Sequence, residues 1–65
     1  MKGLSKEQYI GIVKFTLNSM IDLAKEDKNY NLMADILHYY ETTVSVEGII
    51  TQNEFLELCR DAGIR

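Results

Sequence analysis

From Lys6 to Lys28 the apolar positions recur every three or four residues, the period of an amphipathic helix. At about 100° per residue, Tyr9, Ile10, Ile12, Val13, Leu17, Met20, Ile21, Leu23 and Ala24 share an arc of roughly 180°, with Phe15 beyond its edge. Glu7, Gly11, Lys14, Asn18, Asp22 and Lys25 form the polar stripe. Ser5 followed three residues later by Gln8 is a capping-box signal, so a helix is predicted over 6–28. A surface helix needs an apolar stripe of little more than about 100°, so this one is expected to be covered on two sides.

The polar stretch Glu26 to Asn31 breaks the pattern, and Asn29 or Asn31 can cap a second helix. That helix is predicted over 31–41, with Leu32, Met33, Ile36, Leu37 and Tyr40 on its apolar stripe and Asp35, His38 and Glu41 facing elsewhere. Residues 42–50 are rich in β-branched types and contain Gly48, which reads as an ordered loop with a short extended segment. Thr51 with Glu54 is a second capping box, and Phe55, Leu58, Cys59 and Ala62 form the stripe of a third helix over 52–62 that stops at Gly63. The expected fold is all-α: one domain over 1–65, with a long N-terminal helix and two shorter helices joined by an ordered loop.

Size sharpens this picture. A chain of 65 residues buries only about 60% of the surface it exposes when unfolded, and leaves roughly 3–5 kcal/mol of stability. With one cysteine, Cys59, and one histidine, His38, neither a disulfide framework nor a four-ligand zinc site is available. The remaining route to extra stability is association. No apolar run reaches the length of a membrane span, no signal-peptide core comes after the basic N-terminus, and the lone thiol points to a reducing cytoplasm.

The net charge of −3 averages two unlike halves. Residues 1–28 carry five Lys against four acids, a balance of +1, whereas residues 29–65 carry six acids against two Arg, a balance of −4. No Lys or Arg lies between Asn29 and Cys59, so direct nucleic-acid binding is not expected and a basic protein surface suits this half better. The nine or so residues separating the second and third helices are also too many for a helix-turn-helix reader.

Gly48, Ile50 and Glu54, continuing to Gly63, resemble the second half of an EF-hand: a turn glycine, a bridging hydrophobic residue, and an acid closing the loop before a helix. The resemblance spans 16 of the 65 residues. The places where it implies Asp or Asn ligands hold Thr43, Ser45 and Glu47, so it implies a degenerate helix-loop-helix with at most weak divalent-metal binding. His38 between Asp35 and Glu41 reads as a surface histidine with acidic neighbours, and Cys59 as a small hydrophobe. No phosphate loop, nucleophile motif or catalytic carboxylate pair is present, and neither enzyme activity, a cofactor nor a metal ligand set is expected.

The expected function is therefore a small cytoplasmic interaction module, a regulator or inhibitor that binds a protein partner and forms a homodimer largely through its first helix. Ile10, Ile12, Val13, Phe15, Leu17, Met20, Ile21, Tyr30 and Tyr39 are the candidate dimer or partner contacts, tyrosine being favoured at interfaces. Asp35, Glu41, Glu47, Glu54 and Glu57 form a candidate acidic partner face, which an acidic mimic blocking a nucleic-acid-binding enzyme would also use. A self-assembling structural subunit is the other association-based alternative.

Overall fold

The computed structural model describes residues 3–64, and every regular element among them is helical. Helix α1 spans Lys6–Glu26, α2 spans Leu32–Tyr39, and α3 spans Gln52–Asp61. The two shorter helices pack along the long one in a body of 37 × 19 × 19 Å. With 21 residues at about 1.5 Å each, α1 is roughly 31 Å long and runs most of the length of the molecule.

Both capping boxes form. The Ser5 hydroxyl accepts from the Gln8 N–H at 3.1 Å while the Gln8 side chain accepts from the Ser5 N–H at 3.0 Å. Thr51 and Glu54 exchange the same pair of bonds at the start of α3, at 3.1 and 2.8 Å. Each box satisfies donors that a helix start otherwise leaves to water. Asn31 caps α2 by accepting from the Ala34 N–H.

Helix α1 ends at Glu26, two residues short of the expected Lys28. Asp27 leaves the helix with φ −121° and ψ 111°, and its carboxylate accepts from the Asn29 N–H at 2.9 Å. That local turn competes with another helical turn. At the far end, Gly63 (φ +93°) donates to the Arg60 carbonyl and Ile64 donates to that of Cys59. This paired closure buries Ile64 against the core and ends α3 where the glycine is expected to stop it.

The stretch 42–50 departs from the expected loop. α2 runs directly into a π-helical segment, Tyr40–Val44, and one further α-turn, Ser45–Glu47. No extended segment forms there. The helical penalty of Thr42, Thr43 and Val44 is only a few tenths of a kcal/mol each. Against it stand the complete burial of Val44 and the contacts of Tyr39 and Tyr40 with Phe55, at ring separations of 6.2 and 5.1 Å. Burial outweighs propensity, and the helix stops only at Gly48, whose φ of +65° suits a residue without Cβ.

Tyr9, Val13, Leu17 and Met20 form the buried line of α1, meeting Ile36, Val44, Ile50, Phe55, Leu58, Cys59 and Ile64 in one core. The Tyr9 hydroxyl is buried with no hydrogen-bond partner among the described residues. Burial first, then the neighbouring Tyr39 and Glu47, push its pKa up.

Candidate interaction site

Among the described residues, two apolar surfaces remain uncovered by the fold. On α1, Ile12, Phe15 and Leu23 are exposed, Phe15 by 74%. They lie on one flank of the helix with Ser19 among them, round from the Tyr9–Met20 core line. The roughly 180° apolar arc is thus covered on the core side and open along the Ile12–Leu23 edge.

The second surface is a groove of ≈ 520 Å³ between α2 and α3. Its walls are Met33 and Leu37 on α2 and Leu56 on α3, all about half exposed, with Phe55 and Cys59 buried behind them. Gln52, Leu56 and Arg60 succeed one another at four-residue spacing along its α3 wall, so the apolar trough has a guanidinium on one side. Arg60 has no ion pair among the described residues. Burial pushes the Cys59 thiol pKa up, the setting of an inert thiol rather than a nucleophile.

The expected contact residues divide into three groups. Val13, Leu17 and Met20 are consumed by the chain's own core and offer a partner no surface. Ile10, Ile21, Tyr30 and Tyr39 are half-buried against that core. Only Ile12 and Phe15 stand exposed. Leu23, Met33, Leu37 and Val46 are exposed apolar positions that periodicity assigns to a core face or a loop. The signal that marks two of them is the width of the α2 stripe: Met33 and Leu37 lie four apart on one flank of a helix too short to bury both flanks.

The acidic positions divide likewise. Asp35 accepts a hydrogen bond from the Tyr30 hydroxyl. Glu54 is paired with Lys6 and caps α3, and Lys6 and the Thr51 N–H hold its carboxyl below the usual range. These two are held by internal contacts, while Glu41 and Glu57 are exposed and without an ion pair among the described residues. Glu47 is exposed at the end of the helical extension, beside Tyr9. The expected five-residue acidic face is thus not one uniform free patch.

Thr43, Ser45 and Glu47, the positions matching calcium ligands in the EF-hand resemblance, stand in helical turns. Among the described residues, no three His, Cys, Asp or Glu side chains gather closely enough to hold a metal ion. No described helix is long and apolar enough to cross a membrane. No family model, curated protein or solved structure matches the chain.

Proposed function

We propose that this chain is a small protein-binding module, a regulator or inhibitor that acts by occupying part of another protein's surface, and that it also self-associates. The observation that supports the reading is the α2–α3 groove: an open apolar trough whose walls are exposed while the core behind it is complete. Apolar troughs between helices receive amphipathic helices, whose side chains at three- and four-residue spacing fill them. A reducing cytoplasm is the proposed compartment, with Cys59 as a free buried thiol. Direct nucleic-acid binding is disfavoured because residues 29–59 lack any Lys or Arg to meet phosphate.

The test is capture from native-host lysate on immobilised wild-type chain and on Leu37→Glu, followed by an activity assay of the retained protein. A binding regulator retains a defined protein through a high-salt wash, alters its activity, and loses it on Leu37→Glu. Equal retention by both baits, or no effect on the retained protein's activity, would contradict the reading.

A further inference from the structure

The two uncovered surfaces are complementary to each other. The α1 stripe of Ile12, Phe15 and Leu23 is apolar, convex and helical, while the α2–α3 groove is apolar and concave. Their charges also match. Asp22 and Glu26 lie within about 20° of the azimuth of Phe15, at the C-terminal end of the stripe, and neither has an ion pair among the described residues. The cations Lys14 and Lys25 are turned away from Phe15 by roughly 80–100°. In the groove, Arg60 stands one helical turn beyond Leu56 and is likewise unpaired among the described residues.

We infer that the groove of one copy receives the α1 stripe of a second copy, with Phe15 between Leu37 and Leu56 and Asp22 reaching Arg60. Asp22 is seven residues beyond Phe15, about 10 Å along α1, and the step from Leu56 to Arg60 is about 6 Å, extended further by the long arginine side chain. α1 of the second copy then runs in the same direction as α3. This assignment deepens the self-association part of the proposed function and rests on it. It also replaces an α1-to-α1 dimer with a heterologous contact, in which different surfaces of the two copies meet.

A heterologous contact has a signature that a symmetric one lacks. Phe15→Glu spoils the stripe and leaves the groove intact, while Leu37→Glu does the reverse. Both residues are more than half exposed, so neither change empties the core, and circular dichroism checks the fold of each. By sedimentation and native mass spectrometry of the purified chains, each variant alone is expected to self-associate about tenfold more weakly or worse. An equimolar mixture should recover a 1:1 pair, the stripe of the Leu37→Glu copy lying in the groove of the Phe15→Glu copy. Arg60→Glu mixed with Asp22→Arg should instead associate as the wild type does, because each copy's stripe then meets the opposite charge in the other copy's groove.

Wild-type association by Leu37→Glu together with a mixture that does not pair would overturn the assignment in favour of α1 against α1. A wild-type chain that stays monomeric would overturn it outright, while lysate capture would still decide partner binding separately.

Discussion

The hydroxyl of Tyr30 donates to the carboxylate of Asp35, tying the turn after α1 to the first turns of α2. This bond raises the Tyr30 pKa from 10.0 to about 12, with burial and the Asp35 charge adding in the same direction. A raised phenol pKa favours the protonated folded state, so the bond's contribution is complete below the unfolded pKa near 10 and fades as pH rises to about 12. Phenolate absorbance should show Tyr30 ionising near pH 12, beside the late ionisation of Tyr9, and that step should be missing from Tyr30→Phe. If the ionisation lost in Tyr30→Phe is one near pH 10 and the late step is unchanged, the bond is contradicted.

Tyr9 presents the opposite case, a buried hydroxyl without a partner among the described residues. A buried unsatisfied polar group costs about 1–3 kcal/mol, and phenylalanine keeps the ring without that cost. Tyr9→Phe should therefore stabilise the fold by about 1 kcal/mol, or roughly 4–8 °C in melting temperature. A fall in melting temperature would show that the hydroxyl is used.

Gly48 ends the helical extension with φ +65°, and a Cβ there meets no other atom within 4 Å. The cost of a side chain is then purely conformational, about 1–2 kcal/mol. Gly48→Ala should lose about that much in denaturant melts, and Gly48→Asn less, because asparagine tolerates the left-handed region. Equal stability of all three would contradict a left-handed stop.

These elements mark what was legible in the sequence. The helix starts were readable because Ser5–Gln8 and Thr51–Glu54 are local chemistry, and the buried line of α1 came from periodicity. The helical run through Thr42–Glu47 was hidden because the burial of Val44 is a tertiary event, larger than a local β-branched penalty. The groove was hidden for the same reason: Ile36 and Leu37 are equally apolar neighbours, and only packing against α1 buries the first and leaves the second 58% exposed. In the acidic half, pattern gave the charges but not the internal contacts that hold Asp35 and Glu54.

Cys59 lies buried behind the groove walls, with its thiol pKa raised by burial. Because the thiolate is the reactive form, a disulfide reagent at neutral pH should modify it far more slowly in the folded chain than in denaturant. Association through the groove should slow it further as protein concentration rises. A folded rate equal to the denatured one would contradict the buried thiol.

The fold leaves the Ile12–Leu23 edge of α1 and the Leu37–Leu56 groove uncovered, and association is the central role assigned to them. The most direct measurement is the molar mass of the purified wild-type chain by multi-angle light scattering, over a dilution series from about 1 mM to about 1 μM. Self-docking predicts a mass above the 7.5 kDa of one chain at high concentration, falling toward it on dilution. A constant 7.5 kDa across the whole series would contradict it.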